Sequence, residues 1–276
     1  MRGTSRRSIK IYRWRRRGAP AGNFGDEITI DLLAKLFGIE AEVVSMAEAE
    51  LIGAGSILDL YSSQPWRRRI RNYRSWIRWS RDLHVWGAGV LRQSSSISWP
   101  QRMHFHAVRG EFTAARAQLK NVQLGDPGIL VSRLVERPKR RSAVAFIPHW
   151  TEWNYASKLD LPKSWVLVRP EQVALDAVRQ IAASELIVSS SLHGLITADA
   201  FNIPSIWAEP EGPIHWDQTF KFGDYASSRG RPFNKPAKYG HLLAMKGSEL
   251  ADLSTTSAKD MDEWQDELIK SFPFAN

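Results

Sequence analysis

The chain has 276 residues, 43% of them hydrophobic, so it is long enough to bury one large core or two modest ones. The absence of cysteine excludes disulfides and thiolate metal sites, and no apolar stretch approaches the roughly 20 residues that cross a bilayer, so we expect a cytoplasmic protein. The net charge of +9 is concentrated in two segments, since residues 1–17 carry eight Lys or Arg, residues 66–81 carry seven, and the rest of the chain sums to −6.

The first third of the chain alternates short apolar strands with glycine-rich turns. A strand is predicted over 10–14, and the motif Asn23-Phe24-Gly25-Asp26 then leads into a helix with a buried apolar face that ends at Gly38. Short strands at 43–44 and 51–52 follow, and the second of them ends in Gly53-Ala54-Gly55-Ser56.

The basic segment 66–81 comes next, and read as a helix it places Trp and Ile on one stripe with Arg elsewhere. Three interpretations stay open: a helix lying on an anionic membrane surface, a solvated helix packed on its own lobe, and a nucleic-acid contact, which no recognisable motif supports. The residues predicted to contact a membrane or a lipid-linked acceptor are Trp66, Arg67, Arg68, Arg71, Arg74, Trp76, Arg78 and Trp79.

The same alternation continues to the end of the chain. A strand at 84–86 ends in Gly87-Ala88-Gly89, one at 105–108 precedes Arg109, and one at 122–124 precedes Gly125-Asp126-Pro127-Gly128. The charged linker 136–141 is the predicted boundary between lobes 1–138 and 139–276. Strands are then predicted at 143–147, 165–168, 186–188 and 203–207, helices at 172–183 and 195–201, and a last helix at 261–271 that packs back on the first lobe.

Strands that alternate with helices imply parallel sheets covered by helices on both faces. We therefore predict an α/β fold of two Rossmann-like lobes, similar to the GT-B arrangement of glycosyltransferases. Ligands of such sheets bind beyond the carboxyl ends of the strands, where nearly every glycine-rich turn of this chain lies. The active site is accordingly predicted in the cleft between the lobes.

Two motifs at strand ends carry candidate catalytic groups. Ser191-Leu192-His193-Gly194 opens a helix, whose free N–H groups suit phosphate or carboxylate, and His193 could donate to an oxyanion or pass a proton; the alternative is a capped helix with a packed His. Asp26 is either the cap of the first helix or a general base for a hydroxyl nucleophile.

Three further side chains are candidates for binding an anion. Arg109 could pair with a carboxylate or phosphate, or form an ion pair with a neighbour such as Glu111. Lys221 and His149 are plausible anion ligands, and Asp126-Pro127 reads as a turn. No P-loop, no well-placed GxGxxG and no His/Cys cluster is present, so we expect neither a dinucleotide cofactor nor a metal.

Taken together and in this order, the motifs resemble the polysaccharide pyruvyl transferase family, most closely the short exopolysaccharide ketal-pyruvate transferases of the xanthan and succinoglycan kind. The resemblance rests on the motifs that start at Asn23, Gly53, Val85, Val108, Leu124 and Ser189 and on the segment 220–225. It implies transfer of a pyruvyl group from phosphoenolpyruvate, with no further cofactor, to two hydroxyls of one sugar. The acceptor would be a lipid-diphosphate-linked saccharide at the inner face of the cytoplasmic membrane.

The resemblance also implies roles for residues. Asp26, His193 and Arg109 would be catalytic, and His193 or His149 would protonate the donor methylene, a choice left open. The predicted donor ligands are Ser191, Leu192, His193, Gly194, Lys221, Arg109 and His149, and the predicted acceptor contacts are Asn23, Asp26 and Trp86. Ser191 stands where many family members carry Arg, so a compensating cation is expected from Arg109, Lys221 or Arg229.

Two other functions compete with this prediction. One is a GT-B glycosyltransferase that uses a nucleotide sugar, although the sequence offers no recognisable diphosphate-binding pair for it. The other is a non-catalytic protein that binds a membrane or nucleic acid through its basic segments.

Overall fold

The computed structural model describes residues 7–19, 21–61, 82–93, 102–209 and 218–275, and it contains two parallel β-sheets. The first sheet has the strand order β2-β1-β3-β4-β5-β6, and all its neighbouring strands pair in parallel. Its strands are β1 (Ser8–Tyr12), β2 (Glu40–Val43), β3 (Leu51–Ile52), β4 (Leu83–Trp86), β5 (Met103–Val108) and β6 (Gln123–Leu124).

The second sheet has the order β11-β10-β9-β7-β8 and is also parallel throughout. Its strands are β7 (Ser142–Ile147), β8 (Trp165–Leu167), β9 (Ser184–Ser189), β10 (Ser205–Glu209) and β11 (Ala237–Lys238). This confirms the predicted α/β fold of two lobes with parallel sheets. The change from one sheet to the other falls between Leu124 and Ser142, which contains the charged linker.

Helices connect the strands and cover the sheets. They are α1 (Phe24–Leu36), α2 (Glu111–Arg116), α3 (Trp153–Ala156), α4 (Ala174–Ala182), α5 (Leu192–Ala200), α6 (Gln218–Ser228), α7 (Tyr239–Ala244), α8 (Gly247–Leu253) and α9 (Met261–Lys270). Short 3-10 helices lie at Leu58–Tyr61, Pro127–Arg133 and Trp150–Glu152. Helix α5 begins three residues earlier than predicted, and segment 220–225 is helical.

One apolar core joins the two lobes. Helix α1 of the first lobe packs against α4 of the second, and the 3-10 helix Pro127–Arg133 packs against α5. Side chains such as Leu32, Ile129 and Leu195 are fully buried in the same cluster. The lobes are therefore held by continuous hydrophobic contact as well as by the chain that links them.

The last helix, α9, crosses back to the first lobe. The indole of Trp264 donates to the carbonyl of Leu124 at 2.7 Å, and the amide of Gln265 donates to the carbonyl of Ile129 at 2.7 Å. Both side chains are buried. Helix α9 thus satisfies backbone groups at the end of β6, which places it as a brace on the first lobe.

Trp86 belongs to this brace, which corrects its predicted contact with the acceptor. Its side chain is fully buried, its indole donates to the carbonyl of Leu268 at 3.0 Å, and its ring packs edge-on against Phe37 and Phe272. A ring enclosed in this way has no face for a sugar.

The basic segment 66–81 lies outside the described residues, so the roles predicted for Trp66, Arg67, Arg68, Arg71, Arg74, Trp76, Arg78 and Trp79 stay predictions. Within the ranges that are described, no helix has the length and apolar character needed to span a bilayer.

Candidate active site

The carboxyl ends of the central strands of both sheets meet at the junction of the lobes. The loop after β1 and the loop after β8 touch there, because the backbone N–H of Phe24 donates to the carbonyl of Pro170 at 2.9 Å and Asn23 forms an isolated antiparallel bridge with Glu171. Arg16 also forms a bidentate ion pair with Glu171, in which Nε and Nη2 donate to the two carboxylate oxygens at 2.9 and 2.8 Å. Every candidate side chain described below comes from loops or helix ends at this junction.

Asp26 lies in the first turn of α1 and does not cap the helix. The cap is Asn23, whose side-chain oxygen accepts from the N–H of Gly25 at 3.2 Å. The carboxylate of Asp26 makes no hydrogen bond within the described part of the chain, and it faces Gly55 at the end of β3. Burial raises its pKa to about 7, an effect that the charge of Lys221 opposes and that of Asp126 reinforces.

Asn23 was predicted to contact the acceptor, and its carboxamide oxygen is instead occupied as the helix cap. The cap explains how Asp26 stays available: a side chain three residues earlier already satisfies the end of the helix. Of the two roles that the sequence left open for Asp26, the structure therefore excludes capping.

His193 lies in the first turn of α5 and reaches across to the first lobe. Its ring lies against the backbone of Gly25, where a Cβ atom would come within 1.9 Å of the imidazole Cγ. The ring also packs edge-on against Phe24. Gly25 is therefore required because a side chain of the other lobe approaches it closely.

The far nitrogen of His193 points at Asp126. His193 Nε2 and Asp126 Oδ2 are 3.9 Å apart, both are buried, and neither has a hydrogen-bond partner among the described residues. Burial and the nearby charges of Lys221 and Arg109 lower the pKa of His193 to about 3, so its imidazole is neutral at physiological pH. Burial raises the pKa of Asp126 to about 6.

The start of α5 supplies backbone donors beside His193, whereas its side chains mostly pack. Leu192 belongs to the core, and a Cβ atom on Gly194 would come within 2.3 Å of Ser189 Oγ. Gly194 therefore lets α5 approach its own sheet, which corrects the expectation that it admits a ligand. Ser191 is buried, and its carbonyl accepts from Ser189 Oγ at 2.8 Å.

Lys221 is buried on α6 and makes no hydrogen bond or ion pair within the described residues. Burial and the charge of Arg109 lower its pKa to about 8, while Asp26 and Glu152 act in the opposite direction. Its charge in turn lowers the pKa values of His149 and His193. Its ammonium lies over the Phe222 ring at 5.4 Å but has no hydrogen-bond or ion-pair partner among the described residues, so it is arranged to receive an anion.

Arg109 is not available as a direct ligand, which corrects its predicted role. Its side chain is fully buried: Nε donates to Asp224 at 2.9 Å and Nη1 to Ser56 at 2.6 Å, while Nη2 donates to the carbonyl of Val90. Asp224 also accepts from the backbone and hydroxyl of Thr113, at 2.8 and 2.7 Å. Since Asp224 lies three residues after Lys221 on α6, this network fastens the helix that carries Lys221 to the first lobe.

Arg229 is committed in the same way and cannot compensate for the missing Arg at position 191. It donates twice to Asp199, at 2.7 and 2.6 Å, and both side chains are fully buried. Tyr225 donates to the same carboxylate at 2.9 Å. The pair ties α6 to α5. Of the three cations considered from the sequence, only Lys221 lacks a hydrogen-bond or ion-pair partner in the part of the chain that the structure describes.

His149 begins a second polar network at the end of β7. Its backbone N–H donates to Ser190 Oγ at 2.8 Å, and its Nδ1 lies 2.8 Å from Thr151 Oγ1. Ser190 donates to Glu152 at 2.5 Å, and the hydroxyl of Tyr239 donates to the same carboxylate. Burial and the charges of Lys221 and His193 lower the pKa of His149 well below its ordinary value.

Three carboxylates of this site were missed or undervalued by sequence reasoning. Asp126 does cap the 3-10 helix Pro127–Arg133, as the turn reading implied, but its second oxygen faces His193. Asp224 was detectable only from its spacing to Lys221 on one helix face. Glu152 gives no signal in the sequence beyond its position three residues after His149.

The site as a whole combines groups that attract an anion with a carboxylate of raised pKa. Lys221 and the neutral His193 and His149 face the junction from the second lobe and α6. Asp26 faces it from the first lobe. Within the described ranges, no group of three or more His, Asp or Glu side chains could hold a metal ion.

Comparison with known proteins gives this geometry a family. The family model described as polysaccharide pyruvyl transferase matches residues 23–211. This span begins at the cap of α1 and includes the carboxyl ends of the central strands of both sheets. The chain belongs to the polysaccharide pyruvyl transferase family. It is an enzyme of the polysaccharide pyruvyltransferase type.

Two proteins illustrate what this pyruvyl transferase is similar to in sequence. The succinoglycan biosynthesis protein ExoV of Rhizobium meliloti (strain 1021) is 29% identical over 250 residues, which cover 87% of this chain and 72% of ExoV. The uncharacterized protein L143 of Acanthamoeba polyphaga mimivirus is 28% identical over 191 residues, which cover 64% of this chain and 65% of L143.

A search of solved structures finds MurG of Acinetobacter baumannii. The match covers 98% of this chain and 96% of MurG, with 10% sequence identity and a TM-score of 0.39. The fold described above rests on the two sheets themselves and not on this likeness.

Proposed function

We propose that this protein transfers the pyruvyl group of phosphoenolpyruvate to two hydroxyls of one sugar residue in an exopolysaccharide repeat unit, forming a cyclic ketal and releasing phosphate. The observation that carries the proposal is the buried, unpaired ammonium of Lys221, which shares the junction with His193 and with the unbonded carboxylate of Asp26. Family membership supports pyruvyl transfer to a polysaccharide.

The donor needs positive charge because phosphoenolpyruvate carries about three negative charges. Lys221 and the N–H groups at the start of α5 would bind its phosphate, each charge-assisted hydrogen bond contributing about 1.5–3 kcal/mol. His193 Nε2 is buried without a hydrogen-bond partner among the described residues, which leaves it available for the proton transfer described below. Arg109, which is paired with Asp224, would add positive electrostatic potential at the donor without contacting it.

Asp26 would act as the general base toward the attacking hydroxyl. A base works best when its pKa lies near the working pH, and the pKa of Asp26 is raised to about 7 by burial. Asp26 lies on the first lobe, across from the proposed donor ligands of α5 and α6, so the sugar and the donor would bind on opposite sides of the junction.

The proposed reaction must account for two hydroxyl protons and one new carbon–hydrogen bond. The first hydroxyl oxygen bonds to carbon 2 of the donor while carbon 3 takes up a proton and becomes a methyl group. The second hydroxyl oxygen then displaces phosphate from carbon 2. One hydroxyl proton balances the proton gained by carbon 3, and the other leaves to phosphate or solvent.

His193 would supply the proton to carbon 3. It is neutral in the free protein, but the negative charge of the donor, together with Asp126 at 3.9 Å, would stabilise its protonated form. His149 would then serve as a neutral hydrogen-bond partner of the donor. We further propose that the acceptor is linked to a lipid diphosphate and is modified at the cytoplasmic face of the membrane.

The test is to incubate the protein with phosphoenolpyruvate and methyl glycosides of glucose, galactose and mannose, following phosphate release and the new ketal methyl signal by NMR. Lys221→Met should raise the KM for phosphoenolpyruvate about 10- to 100-fold, because one charge-assisted contact is lost. Lys259→Met is the matched control. Lys259 is exposed, and it lies far from the candidate site residues in the sequence. Product formation that requires a nucleotide sugar, or an unchanged KM in Lys221→Met, would contradict the proposal.

A further inference from the structure

Two tryptophans of different lobes come together at the mouth of the junction. Trp14 follows β1 and Trp150 follows β7, and their ring centroids are 5.5 Å apart with an angle of 37° between the planes. The guanidinium of Arg16 lies over the Trp150 ring at 5.6 Å. All three side chains are partly exposed.

This cluster is not needed to close the junction, which the shared core and the pairing of Asn23 with Glu171 already hold. Neither indole N–H of Trp14 or Trp150 donates a hydrogen bond within the described residues. Arg16 uses Nε and Nη2 on Glu171, which leaves the donors of Nη1. Flat apolar surface and unused donors therefore lie side by side.

The cluster is continuous with the reacting groups. The ring of His149 lies 5.6 Å from that of Trp150, and His149 in turn feels the charges of Lys221 and His193. On the other lobe, Arg13 next to Trp14 forms an ion pair at 2.8 Å with Glu27, the neighbour of Asp26 in sequence. A molecule lying on the two indoles would thus have one end beside the proposed base and donor site.

A sugar ring is the kind of molecule that this surface fits. A hexose has apolar C–H faces that stack on an aromatic ring and a rim of hydroxyls that accept hydrogen bonds from indole and guanidinium donors. We propose that Trp14, Trp150 and Arg16 form the acceptor subsite, which binds a hexose ring of the saccharide by stacking. The inference rests on the proposed function and gives the acceptor the aromatic contact that buried Trp86 cannot provide.

The experiment compares Trp150→Leu, which keeps apolar volume but removes the flat ring, with Trp150→Phe, which keeps a ring. Saturation-transfer NMR with the same methyl glycosides reports on contact between the sugar C–H groups and aromatic protons without requiring turnover. We expect Trp150→Leu to lose this signal and Trp150→Phe to retain most of it. Trp165→Leu is the control, because Trp165 is a partly buried Trp at the amino end of β8, the opposite edge of the sheet.

Kinetics provide the second readout. Trp150→Leu should raise the KM for the acceptor about ten-fold, the effect of losing one stacking contact, while the KM for phosphoenolpyruvate changes less than two-fold. An unchanged acceptor KM in an active protein, an equal rise in both KM values, or the absence of sugar signal in the unaltered protein would overturn the subsite. If no phosphate is released by the unaltered protein but its sugar signal depends on Trp150, the proposed reaction fails and the subsite stands.

Discussion

Asp26 and Lys221 influence each other's ionisation across the junction of the lobes. Burial raises the pKa of the carboxyl to about 7 and lowers that of the ammonium to about 8, and each charge partly offsets the shift of the other. Between these values, the ionised forms of both groups coexist. That state is the one in which a base can take a proton from a sugar while a cation holds an anionic donor.

At this residue scale we predict a bell-shaped dependence of kcat/KM on pH, with a maximum between about 7 and about 8. Activity falls at lower pH because Asp26 is protonated and cannot accept a proton. It falls at higher pH because Lys221 loses its charge. Steady-state phosphate release over a pH series measures the profile, and a flat profile across this range would exclude the pair.

Asp26→Asn separates the two roles. It should lower kcat by about 10²–10⁴-fold, as expected for loss of a general base, without weakening the binding of phosphoenolpyruvate measured by titration calorimetry. Asp31→Asn is the control on the same helix, since the charges that act on Asp31 are those of Lys35 and Arg179 and not that of Lys221. A variant that binds the donor more weakly but keeps kcat would show that Asp26 organises the donor site instead.

Among the secondary-structure elements, helix α6 determines the position of Lys221. It is bonded to the first lobe on one side and to α5 on the other. Asp224 fastens it to Arg109 and Thr113 of the first lobe, and Arg229 fastens it to Asp199 on α5. Both ion pairs are fully buried and their remaining polar atoms are largely satisfied. The two anchors therefore position an ammonium that forms no hydrogen bond or ion pair with any residue that the structure describes.

We predict that Arg109→Ala and Asp224→Ala each lower the free energy of unfolding by about 3–5 kcal/mol, because each leaves a buried charge unpaired. The double variant should cost less than the sum, since neither charge is then left alone. Urea denaturation measures all three. The exposed pair Arg140 and Glu185 is the control, with an expected effect below about 1 kcal/mol, and additive losses in the buried pair would contradict direct coupling.

At the scale of the whole molecule, the two lobes pack so closely at certain glycines that no side chain would fit there. Gly25 of the first lobe touches the ring of His193 of the second, and a Cβ atom on Gly110 would come within 1.7 Å of the carbonyl oxygen of Asp224. The glycines of the motifs therefore act mainly as contact points between packed elements. These positions need a residue without a side chain because other elements of the folded protein pack against them.

Gly25→Ala tests this at the lobe junction. The added methyl would force His193 to move or the lobes to separate, so we expect a loss of about 1–3 kcal/mol in stability and at least a ten-fold loss in kcat/KM. Thermal unfolding and phosphate release measure the two effects. Gly247→Ala is the control, because nothing lies within 4 Å of the Cβ position there. A fully active, equally stable Gly25→Ala protein would mean that the lobes do not close as described.

The local pattern of the chain was sufficient to predict the two parallel sheets and the placement of Asp26 and His193 at strand ends. Apolar runs of strand length separated by helical periodicity specify elements locally, and parallel connection brings their carboxyl ends to one edge. Even the caps follow from short-range chemistry, although the cap of α1 proved to be Asn23 and not Asp26.

Only the tertiary structure decided which of the candidate cations stays unpaired. Arg109 pairs with a residue 115 positions away and Arg229 with one 30 positions away, whereas Lys221 has no such partner in the described chain. Trp86 became a core residue because α9 returns to cover it, and Trp14 met Trp150 because two loops of different sheets converge. Such contacts depend on how whole elements pack, and the residues near each one in sequence carry little information about which distant side chain will arrive there.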